Sequence, residues 1–352
     1  MDLYALEARL AASLAAAQAA LAQVELLGRL WPVLADFARG PLTARAALLQ
    51  CRQLTLSPDP VTLLGLGAEP EPSRPNKALR WAVGCTLTQR RLEADLSEAL
   101  TPSLVSELFL NLDAPHLARS GSAAVAPPWG EGPAPGAAAW SLAPRLVAAG
   151  LPPLMALGLT LAAWLRDAPD HLHREPLGWL LAYGLGLRLG LPAVGLLGLA
   201  PAVEAAAAPE GGLKRVLKDM RATGAWRQWL GVFLVGVKAC ASGVLEAALT
   251  ARQAAADHAA TISAWVRAPR LPLQLLGLFL ARPVLDLPTI AQELAVTQRS
   301  AGLLANKLKA QGLISEVTGQ KRGRRFAYQA VVEVVADGEI GQGNVGSGAE
   351  AP

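Results

Sequence analysis

The stretch from Pro283 to Ala330 constrains this chain more than any other, because its capping, breaking and packing residues fall at mutually compatible spacings. Asp286 is placed to cap a short helix whose Pro288 lies in the first turn, where backbone amides lack intrahelical partners and a missing N–H costs little. Thr297 is placed to cap a second helix running to Gln311, and Gly312 suits a left-handed exit from it. Ile290, Leu294, Val296, Ala301, Leu304 and Leu308 then fall on the inward positions of two short crossed helices. Only Ala295-Val296-Thr297 separates the two helices, the tight connection of a helix-turn-helix.

The residues that follow extend the pattern. Leu313–Val317 predicts a strand and Phe326-Ala327-Tyr328 its return partner. Between them runs Thr318-Gly319-Gln320-Lys321-Arg322-Gly323-Arg324-Arg325, a glycine-hinged basic loop where a winged helix carries its wing. Residues 297–328 hold seven Lys or Arg against one acid, Glu316, whereas the whole chain has a formal net charge of only +4. The remainder is therefore slightly acidic. Positive charge gathered on one small module is the footprint of a phosphate-backbone binder. The plain alternative is a small helical domain with a solvated basic loop.

Composition sets the class of the rest. Of 352 residues, 52% are hydrophobic but only 5% are aromatic. Ala and Leu supply the bulk and both favour helices, and the length suffices for two or three domains. Cys51, Cys85 and Cys240 lie far apart and form no metal-ligand pair, so they read as reduced thiols filling a core. The start, Met1-Asp2 with Glu7 and Arg9, is unlike a secretory leader. The mean hydropathy of +0.32 raises the question of a membrane. The most apolar stretches are 150–165, 176–201 and 229–248. They carry Pro152-Pro153, Arg188 with Pro192, and Lys238 with Glu246, so none reads as about twenty uninterrupted apolar residues. Buried helices of a soluble, cytoplasmic protein with no membrane partner are the expectation.

Periodicity predicts helices over 2–39 (ended by Gly40-Pro41), 43–53, 77–97, 102–111, 141–149, 152–166, 176–189, 212–222 and 226–266. The expected organisation is an N-terminal helical region, 1–118; a mobile Pro/Gly-rich loop, 119–139; a second helical region, 140–266; the winged helix-turn-helix, 269–335; and a disordered acidic tail, 336–352. The fold class is thus mainly α, a helical bundle followed by a winged helix-turn-helix with a small β-hairpin wing.

Residues suited to catalysis are sparse. His116 and His258 stand alone. His171 and His173 share a polar turn, Ala168–Pro176, that could ligate a metal or serve acid–base chemistry. No third ligand follows at a diagnostic spacing, however, and Gly184, Gly186 and Gly190 miss the dinucleotide-binding spacing by one residue. No catalytic residue, metal or cofactor is expected.

The order of segments over residues 42–332 resembles Fic-domain proteins (the adenylyl-transferring fold) of the type ending in a winged helix. It also resembles a group of uncharacterised proteobacterial proteins with a similar body and a C-terminal helix-turn-helix. In Fic proteins an early helix carries an inhibitory Glu; the matching run here is Ala47-Leu48-Leu49-Gln50-Cys51-Arg52-Gln53-Leu54-Thr55, with Leu54 at that position. Their catalytic turn, His-Pro-Phe-x-Asp-Gly-Asn-Gly-Arg-x-Gly-Arg, aligns with Ala168–Trp179. Pro169 and Gly178 agree, but Ala168 replaces the His, Leu172 the acid, Arg174 the Asn and Pro176 the first Arg. An Ala cannot take a proton and a Leu cannot hold a divalent cation, so the resemblance implies a catalytically silent scaffold. A divergent Fic-type nucleotidyl-transferring enzyme that uses His171 or His173 in a shifted register is one alternative; a winged helix that only docks protein is another.

The leading expectation is double-stranded DNA binding by a bacterial transcriptional regulator, with a homodimer as the assembly and no effector ligand indicated. The helix from Thr297 to Gln311 is expected in the major groove. Arg299 and Asn306 point outward with geometries suited to guanine and adenine edges, and Gln298 and Ser300 lie near the leading end. Lys307, Lys321, Arg322, Arg324 and Arg325 are expected on phosphates. Leu303 also points outward, toward a thymine methyl or a dimer partner.

Overall fold

Leu and Ala recurring three and four apart carry most of this chain into helices that bury one another. The computed structural model describes residues 3–53, 58–65, 77–94, 104, 108, 137–167, 174–265, 270–319 and 323–337. In chain order the helices are α1 (Leu3–Leu30), α2 (Leu34–Phe37), α3 (Thr43–Gln53), α4 (Pro60–Leu64), α5 (Lys77–Ala94), α6 (Leu142–Ala148), α7 (Pro153–Asp167), α8 (Arg174–Arg188), α9 (Leu199–Ala207), α10 (Leu213–Thr223), α11 (Trp226–Trp265) and α12 (Arg270–Ala281). The C-terminal module continues with β1 (Val284–Asp286), α13 (Leu287–Glu293), α14 (Gln298–Ala310), β2 (Ser315–Glu316), β3 (Arg325–Ala327) and α15 (Gln329–Ala336).

The 40-residue α11 is the axis of the assembly, packing against α1, α7, α9, α10, α12 and α15. Trp229, fully buried on it, donates its indole N–H to the Gly158 carbonyl of α7 at 2.9 Å. A buried indole left without such a partner would carry a desolvation cost of about 1–3 kcal/mol. Lys238 and Glu246, the charges that interrupt its apolar run, lie on its exposed side. Two helical segments, Glu7–Leu30 and Trp226–Ala264, are nevertheless long and apolar enough to cross a membrane by length and composition. The most apolar part of the second is 56% buried inside the protein, as a core helix would be, and that of the first 28%.

The helix expected over 2–39 instead breaks after Leu30. Pro32 has no N–H to donate, so the α-helical ladder stops with the Trp31 amide on the Leu27 carbonyl at 2.8 Å. Gly40-Pro41, expected as the terminator, sits inside a π-helical turn, Ala38–Leu42, that leads into α3. A Cβ at Gly40 would lie 2.5 Å from the Ala281 carbonyl oxygen, so only glycine lets this turn rest against the end of α12. Helices α4 and α9 were not legible as separate elements. Of the helix expected over 102–111, Leu104 and Leu108 fall among the described residues and both are buried. The loop expected over 119–139 falls mostly outside them, as do His116, His171, His173, Lys321, Arg322 and residues 338–352.

The sheet has three strands rather than the two of a hairpin, ordered β1-β3-β2 and antiparallel throughout. β3 pairs with β1 at Val284↔Ala327 and with β2 at Ser315↔Ala327 and Glu316↔Phe326. All three residues of β1 are buried, so it lacks the alternation that marks a half-exposed strand.

Candidate nucleic-acid interface

Both caps form. The Thr289 amide donates to Asp286 Oδ1 at 2.8 Å, and the Ser300 amide donates to Thr297 Oγ1 at 3.2 Å. Between α13 and α14, Ala295 adopts φ 52°, the one positive-φ residue other than glycine among the described residues. The left-handed conformation costs a residue with a Cβ about 1–2 kcal/mol. It is held by the Val296 amide on the Ala291 carbonyl at 2.9 Å and the Ala295 amide on the Gln292 carbonyl at 3.2 Å. Gly312, at φ 72°, ends α14, and the Leu313 amide returns to the Leu308 carbonyl at 3.1 Å. Ile290, Ala301 and Leu308 are buried as their spacing requires; Leu294, Val296 and Leu304 are half-buried, and Ala305 is a further buried position.

That packing turns the other side of α14 to solvent. Thr297, Gln298, Arg299 and Ser300 are exposed together at its leading end, with Asn306 and Lys307 two turns further on. Leu303 stands among them, 66% exposed.

The wing is braced against this helix. Arg324 Nη2 donates to Glu316 Oε2 at 2.8 Å and to Asn306 Oδ1 at 2.9 Å, while Lys309 Nζ donates to the same Glu316 oxygen at 3.2 Å. The Arg324 guanidinium also lies 4.9 Å over the Phe326 ring. The Arg324 hydrogen bond, followed by that of Lys309, holds the Glu316 carboxyl below the usual glutamate range. Arg324 thus joins the wing to α14, and Asn306 engages it through the amide oxygen. Arg325 is the strand partner of Asp286, and its Nη1 lies 3.6 Å from the Cβ position of Gly65, on the side of α4. Glu316 stands out in the sequence only as the one acid of this segment; that it draws Lys309 of α14 and Arg324 of the wing together depends on how β2 packs against both.

The module is also fastened to the body. Tyr328, fully buried, places its hydroxyl 2.8 Å from His258 Nδ1 of α11, and the two rings meet edge-on with centroids 5.6 Å apart. Burial lowers the pKa of His258, opposed by nearby Asp257. A histidine that stands alone in sequence is here the bridge between body and module.

In the body, the described part of the segment aligned with the Fic catalytic turn is helical. Pro176, Leu177, Gly178 and Trp179 lie in α8, with Leu177 and Trp179 buried. A Cβ at Gly178 would lie 2.7 Å from Trp164 Cδ1, so this glycine serves the close approach of α7 and α8. Gly184 and Gly186 are similarly crowded by Leu92 and Leu196, each 2.6 Å from an added Cβ. Ala47, Leu48, Leu49 and Cys51 are core residues of α3. Burial pushes the Cys51 and Cys240 thiols up to about 12 and raises Cys85 as well, which leaves all three protonated and unreactive at neutral pH. Among the described residues no three His, Cys, Asp or Glu side chains converge as metal ligands.

Two helices joined by a tight turn, with a small antiparallel sheet made by one strand before them and two after, define a helix-turn-helix module of the winged type. Residues 271–328 match the family described as HTH DNA binding domain, an interval that runs from the start of α12 to the end of the sheet. No curated protein matches the chain.

Proposed function

We propose that the chain is a bacterial transcriptional regulator that places α14 in the major groove of duplex DNA. The observation that carries this reading is the coincidence of the HTH match over residues 271–328 with a polar, solvent-facing side of α14. Thr297, Gln298, Arg299 and Ser300 contact bases and the nearest phosphates from its leading end. A guanidinium is suited to O6 and N7 of guanine. Asn306 reads an adenine edge, its amide oriented by the hydrogen bond it accepts from Arg324. Lys307, Lys321, Arg322, Arg324 and Arg325 supply the phosphate contacts, with Arg324 divided between DNA and the wing brace.

The body, a Fic-like scaffold without the catalytic His and acid, acts as the sensing and assembly part of a cytoplasmic homodimer. Paired modules read two half-sites. The exposed Leu303 favours a second reading, in which α14 docks against protein: an apolar side chain in the middle of the face is equally at home against a thymine methyl or a partner chain. Selection of bound duplexes from a random pool by the full chain tests the choice. A recovered two-fold symmetric motif supports the regulator; recovery of no sequence at low salt removes it.

A further inference from the structure

A cleft of about 460 Å³ opens where the helical body meets the C-terminal module. Its walls are Arg45 of α3, Gly243, Glu246, Ala247 and Thr250 of α11, and Val334 and Asp337 at the end of α15. That volume lies within the range of about 300–1,000 Å³ typical of small-molecule sites. Two features distinguish it from an incidental gap between packed helices.

The first is charge. Arg45, a cation only 7% exposed, forms part of the wall. Glu246 of α11 and Asp337, just past the end of α15, are carboxylate residues of the wall, and Thr250 is a hydroxyl residue. The second is Gly243. It is buried midway along α11, yet a Cβ there would meet no atom within 4 Å. Seven residues earlier the same helix has Gly236, where a Cβ would lie 2.5 Å from Val203 Cγ2 and close packing requires glycine. No such requirement exists at Gly243, although glycine inside a helix costs about 1 kcal/mol relative to alanine. Its missing side chain leaves the floor of the cleft open.

We propose that this cleft binds a small zwitterion, an α-amino acid or a compound of the same amino-carboxylate chemistry. The Arg45 guanidinium takes the ligand carboxylate, and Glu246 and Asp337 take its ammonium group. A phosphate or other polyanion is disfavoured by the two carboxylates, and a simple amine by the guanidinium. Val334 lies on the last helix of the module and Asp337 just past its end, and the other residues belong to the body, so a bound ligand ties the end of α15 to α3 and α11. The regulatory consequence rests on the proposed DNA-binding function: occupancy changes the affinity of α14 for DNA by fixing the module on the body.

The test uses the full chain without DNA. Melting temperature and titration calorimetry are recorded with individual L-amino acids, and with acetate, methylammonium and inorganic phosphate as partial ligands. At least one amino acid is expected to raise the melting temperature at millimolar concentration, while the partial ligands leave it unchanged. Gly243→Leu fills the floor and abolishes the effect. Glu246→Gln, on the exposed side of α11, lowers affinity roughly tenfold, one charge-assisted hydrogen bond's worth, and decides the matter should Gly243→Leu fold poorly. Absence of binding by every amino acid, preference for phosphate, or wild-type affinity in Glu246→Gln overturns the proposal. DNA affinity of the ligand-free protein is measured on the same preparations. Its absence alongside intact amino-acid binding contradicts the proposed function and leaves the ligand site standing.

Discussion

Arg324 and Glu316, eight residues apart at the base of the wing, meet with Nη2 and Oε2 at 2.8 Å, and the same guanidinium reaches Asn306 of α14. The one acid among seven cations in residues 297–328 therefore lies at the centre of the module. It holds Arg324 of the wing to Lys309 of α14 through one shared carboxylate oxygen. Glu316→Gln releases both. The expected outcome is a steeper dependence of DNA affinity on salt, by one to two in the logarithmic slope, because each additional phosphate contact contributes about 0.9. Titrations at several salt concentrations read this directly; a slope equal to wild type removes the brace from the account.

The depressed pKa of Glu316 adds a pH dependence. Because the folded value lies below the unfolded one, the stabilisation is fully present above the ordinary glutamate value of 4.5 and fades as pH falls through the depressed value. Hydrogen exchange of β2 and β3 is expected to accelerate at acid pH in wild type, and to be already fast at neutral pH in Glu316→Gln.

Ala295 supports the tight turn at an energetic cost. Ala295→Gly removes the left-handed penalty at the expense of some unfolded-state entropy and is expected to stabilise the protein by up to about 1 kcal/mol. Ala295→Val, with its β-branch, is expected to destabilise it by a larger amount. Urea denaturation of the three proteins orders them; a valine variant as stable as wild type is incompatible with the turn described.

Thr297 both caps α14 and stands in the proposed interface. Thr297→Ala is expected to cost about 1 kcal/mol of stability through the lost cap, whereas Thr297→Ser keeps the acceptor and the stability. Arg299→Ala leaves stability unchanged, relaxes the base preference at one position and weakens specific binding by about 1–3 kcal/mol. Equal losses on specific and random duplexes would move Arg299 from bases to phosphates.

Tyr328→Phe deletes the hydroxyl that meets His258 and is expected to cost about 1 kcal/mol. Because burial depresses the His258 pKa, its neutral form is favoured in the folded protein; stability is highest above its ordinary value of 6.5 and declines as pH falls below that. His258→Gln is expected to flatten this part of the stability profile. Thermal melts at pH 5.5 and 7.5 check both variants.

The parts of the structure set by local chemistry were legible in the sequence. Asp286 and Thr297 announce their caps, Gly312 its left-handed exit, and the run 43–53 its helix with matching ends. What depended on tertiary meetings was not. Glu316 finds Arg324 only once β2 and β3 have paired and Lys309 only once the turn at Gly312 has formed, and His258 finds Tyr328, 70 residues away, only once α11 and the module have packed. Gly40-Pro41 reads locally as a stop, yet the packing of Ala281 against Gly40 stabilises a π-helical turn there. β1 went unseen because three buried residues display no period. The Fic-like reading of the body drew on segment order. Gly178, which agreed with the motif, has a sufficient reason in the contact with Trp164.

The central claim is that the C-terminal module binds duplex DNA through its gathered positive charge. The most direct measurement is the salt dependence of duplex affinity for wild type and for Lys307→Ala combined with Lys321→Ala and Arg322→Ala. Tight binding at low salt, with a slope that flattens by roughly three in the triple variant, is the predicted result. No measurable duplex binding by the wild type at low salt, or a slope unchanged by the three substitutions, would contradict it.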